Sequence, residues 1–258
     1  MNKLIGLILS ISLSVTTTAQ DLSLFQRKQF IIGNDTLPYR LLLPENYNPS
    51  KKYPLVFFLH GAGERGNDNE KQLVHGAKLF LKEEVRTDYP AIIVFPQCPQ
   101  NSFWSNVDFK MENGKRIFGF KAEGEPTLAM KMAQELLYFI LQEYPVNNKR
   151  VYAGGLSMGG MGTFEIVRRN PKLFAAAFPI CGGGEPSPAS VMKKTKWWVF
   201  HGGKDDVVPP ELSEKMVDAL KAIKAAVKFT LYPDANHNSW DPAFAEPELL
   251  SWLFKQKR

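Results

Sequence analysis

Cysteine is nearly absent from this sequence: Cys98 and Cys181 are the only two in 258 residues. That excludes a scaffold held together by several disulfides. Histidine is scarce as well, and its four residues lack the spacing that would build a zinc site with so few thiols. The formal charge of +6 is spread along the chain with no run of five like charges. A solvated surface explains such a balance better than a nucleic-acid partner does. The main apolar stretch, Leu4 to Val15, is too short to span a bilayer as a helix. There is no internal repeat, low-complexity segment or linker.

What is present begins with that apolar stretch. Lys3 precedes it as a short basic region, and the small residues Thr16-Thr17-Thr18-Ala19-Gln20 follow. Together they predict a bacterial-type export signal, residues 1–20, cut near Gln20. No cysteine follows at the point where a lipid would be attached, so no stable membrane anchor is expected. Cleavage removes one lysine and no acid, leaving +5 for an exported protein, periplasmic or secreted. The remainder, 21–258, is expected to be a single α/β domain, since 44% hydrophobic and 22% charged residues suit one sizeable core.

Phe25 to Ile32 and Pro38 to Leu43 read as strands joined by a turn at Gly33-Asn34-Asp35. Tyr53 to Leu59 and Ala91 to Pro96 are continuous apolar runs, the mark of strands covered on both faces. Leu73 to Val85 reads as a helix, and Thr127 to Tyr144 as another, closed by Pro145. Pro99 to Pro126 reads as a long irregular segment rich in aromatics, including Phe103, Trp104, Phe109, Phe118 and Phe120. Segments of that length either serve function or cover an edge. Further strands are expected at Ala175 to Ile180, Lys196 to Phe200 and Val227 to Tyr232, with helices from Pro209-Pro210 to about Ala226 and around Leu249 to Phe254. Alternating strands and helices imply a mainly parallel sheet of about eight strands, with active loops at the strand C-termini.

The chemistry centres on Gly155-Leu156-Ser157-Met158-Gly159, preceded by the β-prone Val151 to Ala153 and followed by helix-length sequence up to Asn170-Pro171. Strand, G-x-S-x-G, helix is the order of a nucleophile elbow, in which a tight turn presents the serine hydroxyl. The next amide, Met158 N–H, then faces a developing oxyanion. Gly155, Gly159 and Gly160 supply the small neighbours that such a turn demands. A second donor is expected on the loop after the third strand, His60-Gly61-Ala62-Gly63-Glu64-Arg65-Gly66, and is assigned to Ala62. Phosphate binding is excluded there because no G-K-[ST] follows. Glu64 and Arg65 are expected to pair with each other.

A serine needs a base, and the base an orienting carboxylate. In elbow-type enzymes the chain order is serine, acid, histidine. Only His237, on the loop after the last strand, satisfies that order; His60 and His201 lie at strand ends and His75 within a helix. The acid is Asp205 or Asp206, which spacing does not separate.

With these residues identified, the chain resembles an α/β-hydrolase of the carboxylesterase type, over essentially all of residues 25–258. It is similar to the secreted esterases related to polyhydroxyalkanoate depolymerases, feruloyl esterases and dienelactone hydrolases. His60-Gly61-Ala62-Gly63, Gly155 to Gly159 and Asn236-His237 carry the resemblance. In such proteins the acid lies in H-G-x-x-D-x-x-V-P, and His201 to Pro209 fits with Asp205 in the acid position. The dienelactone hydrolases use cysteine, so Ser157 points to the esterase side. The resemblance implies acyl transfer through Ser157, His237 and Asp205, with Ala62 and Met158 amides at the oxyanion and no cofactor or metal. The expected substrate is a carboxylic ester, either a carbohydrate-linked acetyl or feruloyl ester or a generic short-chain one, with Trp104 and Trp240 as candidate contacts. Two rivals remain: a prolyl-oligopeptidase-like serine peptidase, and a non-catalytic binding protein on the same fold. Cys98 and Cys181 end strands not expected to be neighbours, which speaks against a bridge.

Overall fold

The computed structural model describes residues 21–258; the expected export signal lies outside the described residues. β1 (Gln26–Ile32) and β2 (Asp35–Leu42) pair antiparallel about Gly33, whose φ is 58°. β3 (Tyr53–Leu59), α1 (Glu83–Asp88) and β4 (Ile92–Pro96) follow. Next come β5 (Val107–Glu112), β6 (Lys115–Phe120), α2 (Leu128–Glu143) and β7 (Val146–Leu156). α3 (Met158–Arg169), β8 (Ala176–Ile180), β9 (Lys196–Gly202), α4 (Glu211–Ala222) and β10 (Val227–Tyr232) continue the alternation. α5 (Trp240–Phe244) and α6 (Leu249–Lys255) end it.

Eight strands form one sheet in the order β1-β2-β4-β3-β7-β8-β9-β10. The pairs from β4 through β10 are parallel, and β1 and β2 add an antiparallel edge. The expected mainly parallel sheet is therefore the observed one. Every residue of β3 is buried because the sheet has a core on each side. Leu55, Phe57 and Leu59 join the core beneath α2, α3 and α4, whereas Val56 and Phe58 join the core beneath α5 and α6. Trp197 and Val199 of β9 point to the first core, and Trp198 and Phe200 to the second. That alternation is the period-two geometry of a strand applied to a sheet with no solvent face.

Three readings of the sequence require correction. Leu73 to Val85 is not one helix but 3-10 turns at Lys71–Leu73 and Ala77–Leu81, followed by α1. Gly76, at φ 82°, breaks it with Phe244 packed against its α-carbon, and the successive Leu79, Phe80 and Leu81 are all buried, which one face of an α-helix cannot achieve. The segment after Pro99 contains an antiparallel hairpin, β5–β6, standing apart from the main sheet. Finally, α4 stops at Ala222. Lys224 adopts φ 57°, and Ala225 N–H reaches back to Leu220 O at 2.9 Å, closing a Schellman-type turn without the usual glycine. Cys98 and Cys181 are free and buried; β3 and β7 separate the strands that they follow.

The sheet brings the loops after β3, β7, β9 and β10 to one edge, and β7 and α3 meet there in a bend with almost no spare volume. A β-carbon on Gly159 would collide with the Leu59 carbonyl, and both partners are backbone that no side-chain rotation relieves. At Gly63, by contrast, an added β-carbon meets nothing within 4 Å. Gly159→Ala is accordingly expected to lower the unfolding free energy by about 3 kcal/mol, the upper end for overpacking. Gly63→Ala is expected to change it by less than about 0.5 kcal/mol. Urea unfolding followed by circular dichroism checks both values.

Candidate active site

Ser157 occupies the bend between β7 and α3 with φ 54° and ψ −118°, a conformation that a non-glycine residue rarely adopts. Such backbone strain is worth roughly 1–3 kcal/mol and survives only where neighbours enforce it. Here Ser157 N–H donates to Ile180 O at 2.9 Å, while Met161 N–H donates to Ser157 O at 3.0 Å. The bend is thus pinned to β8 on one side and to the helix on the other.

His237, on the loop after β10, brings Nε2 to 2.9 Å from Ser157 Oγ. Its Nδ1 lies 2.8 Å from Asp205 Oδ2 and 3.0 Å from Oδ1. Asp205 follows β9, and its side chain is closed to water. Burial alone would raise its carboxyl pKa, but His201, His237 and the Val208 amide together hold it below the ordinary carboxylate range. Val207 and Val208 N–H groups donate to Oδ1 at 3.0 and 2.9 Å. Asp206 points to solvent, and among the described residues its carboxylate makes no bond to His237. Its amide donates instead to Asn236 Oδ1, which also accepts from His237 N–H. Asn236 thereby ties the two loops together.

The loop after β3 faces the serine. Ala62 and Met158 each open a helical turn, so their N–H groups have no intrahelical acceptor. Among the described residues neither has another acceptor, and both residues line the cavity that holds Ser157. His60 braces this loop from beneath: its Nδ1 donates to Gly61 O at 2.6 Å, and its Nε2 accepts from Cys98 N–H at 2.9 Å. Burial pushes its pKa down to about 4, so the ring is neutral and keeps the tautomer those two bonds require. Arg65 does not pair with Glu64, contrary to expectation. It donates to Ala62 O at 3.0 Å and stacks over Phe103 at 4.9 Å.

The cavity has a volume of about 200 Å³ and is walled largely by apolar groups, with Phe103, Phe118 and Trp240 as its aromatics. Trp240 stands edge-on to His237, with ring centroids 5.4 Å apart. Trp104 does not reach the cavity. It is fully buried, donates Nε1–H to His60 O at 3.2 Å and fills the space that a side chain on Gly162 would need, so its candidate role as a substrate contact is withdrawn. Of the remaining cavity residues, Phe118 is one of the aromatics expected on the long segment after Pro99, whereas Arg116 and His75 escape the sequence reading. Arg116 and Phe118 reach the cavity from β6, a strand signalled by Asn113-Gly114, both at positive φ as in a type I′ turn. His75 lines the cavity too, 3.9 Å from Glu64 and 5.0 Å from the Trp240 ring.

Comparison with known proteins agrees with this geometry. Among solved structures, a thermostable esterase matches with a TM-score of 0.81 and 37% identity over 91% of this chain and 63% of its own. That likeness makes the fold an α/β-hydrolase fold. "Probable feruloyl esterase C" of Aspergillus oryzae is 24% identical over 66% of this chain and 56% of its own length. Acyl-protein thioesterase 1 of Neurospora crassa is 24% identical over 71% of this chain and 80% of its own. The chain thus spans less than two thirds of the first two of these proteins. The family model described as "Putative esterase" matches residues 33–246, and the chain belongs to that esterase family.

Proposed function

We propose that the protein hydrolyses carboxylic esters through an acyl-enzyme on Ser157. The observation that carries this reading is the unbroken relay from Ser157 Oγ through the His237 ring to a buried, ionised Asp205, at separations of 2.9 and 2.8 Å. His237 takes the serine proton as Oγ attacks the ester carbonyl. Asp205 holds the tautomer that leaves Nε2 free to accept and stabilises the imidazolium that forms. The carbonyl oxygen, now an oxyanion, is received by the Ala62 and Met158 amides, donors whose loss in such sites costs about 10²–10³-fold in rate. The imidazolium then protonates the departing alcohol, and water repeats the sequence to release the acid. No step calls for a metal or cofactor.

For the substrate we favour an acetyl or feruloyl ester of a carbohydrate over a generic short-chain ester. The support is the aromatic wall of Phe103, Phe118 and Trp240, together with feruloyl esterases among the relatives. Export by residues 1–20 belongs to the same reading, since a carbohydrate polymer is met outside the cell. N-terminal sequencing of the secreted or periplasmic protein tests it, with a start near Asp21 expected.

Ser157→Ala is expected to lower kcat on p-nitrophenyl acetate by roughly 10⁴-fold or more. Assaying the wild type beside it on acetyl, feruloyl and thio esters and on a prolyl peptide separates esterase from thioesterase, peptidase and mere binding. Faster turnover of the peptide than of any ester would overthrow the proposal. Asp205→Asn is expected to cost about 10⁴-fold in kcat, because it favours the wrong histidine tautomer. Asp206→Asn should stay within about threefold, since an exposed carboxylate is screened by water. Phe118→Ala is expected to lower kcat/KM for a feruloyl ester by up to about tenfold, the worth of one aromatic contact, and to leave acetyl turnover nearly as it was.

A further inference from the structure

His201 is fully buried at the end of β9, and nothing in the proposed reaction employs it. Its Nε2 lies 3.2 Å from Asp205 Oδ2 and 2.9 Å from the Val208 carbonyl oxygen. Both partners are acceptors, so Nε2 carries a proton; its hydrogen bond goes to the Val208 carbonyl, and the same N–H lies against Oδ2, where it helps to hold the Asp205 carboxyl pKa down. On the far side of the ring, Nδ1 lies 2.7 Å from Ser213 Oγ of α4, which itself lies 2.9 Å from the Gly182 carbonyl oxygen. The imidazole is therefore locked between α4, the loop after β8 and the carboxylate.

Asp205 thus has two histidines on one oxygen. Oδ1 is held by two backbone amides and Oδ2 by His201, an arrangement that stops the carboxylate from rotating while His237 gains and loses its proton. A second donor on Oδ2 also draws charge away from the bond to His237. We propose that His201 is a positioning residue: it fixes the Asp205 carboxylate and weakens its pull on His237, so that the imidazolium formed in the reaction readily passes its proton to the leaving alcohol. The proposal rests on the ester-hydrolysis reading above. Other titratable groups around the carboxylate are Cys181, whose sulfur lies within 4.8 Å and whose burial keeps it a neutral thiol, and the flanking Lys204 and Asp206, which face water. Glu211 at the start of α4 and Arg116 from β6 border the adjoining surface cavity. None of these bonds to Oδ2 among the described residues, so the charge on that oxygen is set chiefly by the two imidazoles.

The test compares two amides in place of the ring. His201→Gln keeps an N–H donor about as far from the backbone as Nε2, whereas His201→Asn keeps a shorter one that reaches only toward Ser213. The pH dependence of kcat/KM on p-nitrophenyl acetate is measured for each, with circular dichroism as the check on folding. His201→Asn is expected to lower kcat at least about tenfold, as the loss of a supporting partner does. Its acid limb should move to higher pH by about half a unit or more, because the freed carboxylate holds the His237 proton more tightly. His201→Gln should return the limb to its wild-type position and restore most of kcat. A limb unmoved or lowered in His201→Asn, or the same loss in both variants, overturns the proposal, because mere packing damage would do that. Should the Asn variant not fold, proton NMR of the wild type decides. Downfield imidazole N–H resonances are expected from His60, His201 and His237, and one of them should disappear in His201→Gln; a set of resonances unchanged by that substitution overturns the assignment. If Ser157→Ala retains ester hydrolysis, the reaction reading fails; if Ser157 is required and the limb stays put, only the role of His201 fails.

Discussion

A carboxylate with no access to water is the constraint on which the candidate site depends. Removing the Asp205 side chain from solvent costs several kcal/mol unless its lone pairs find donors. They find four: the Val207 and Val208 amides, His201 and His237. The donors come from the loop after β9, the end of β9 itself and the loop after β10. None of these segments can drift without stranding a buried charge. The solvation cost of one side chain is thereby converted into rigidity for the histidine that reaches Ser157.

Ser157 depends on rigidity of another kind. Its positive φ is held by a bond to β8, and the backbone of α3 comes so close to the end of β3 that Gly159 has no room for a side chain. The parallel sheet makes this possible, since β3, β7, β9 and β10 all deliver their following loops to the same edge. Electrostatic constraint on the histidine side and steric constraint on the serine side meet across 2.9 Å.

Much of this was legible in the chain. Strands such as β3 and β4 announce themselves because a sheet with two covered faces demands unbroken apolar runs, and the elbow pattern carries its own geometry. Chain order alone singled out His237. Spacing could not separate Asp205 from Asp206, since adjacent residues differ only in which one the fold turns inward. Residues 73–85 looked periodic, yet Gly76 and Phe244, far apart in sequence, jointly break the helix. The end of α4 was hidden because Lys224 adopts a conformation usually left to glycine. Trp104 reads as a candidate substrate contact because the sequence does not reveal that its indole N–H satisfies the His60 carbonyl in the interior. His60 and His201 were set aside by chain order, and they turn out to brace the very loops that the order singled out.

The hairpin β5–β6 explains why chemistry was easier to read than substrate preference. It contributes nothing to the buried network around Asp205; its cavity-facing residues, Arg116 and Phe118, belong to a two-stranded sheet with exposed Phe109, Met111 and Ile117. A lone hairpin is marginal in water and needs something to lean on. Here Phe109 packs on Phe103 at 5.7 Å, and Phe103 in turn lies under the Arg65 guanidinium that holds the Ala62 carbonyl. The cavity wall is therefore braced against the loop that carries the proposed oxyanion donor, while remaining outside the hydrogen-bonded core. Side chains on that wall are free to change without exposing or unpairing any buried charge. Physical necessity dictates the residues around Ser157, whereas no buried charge or strained backbone constrains the wall facing them.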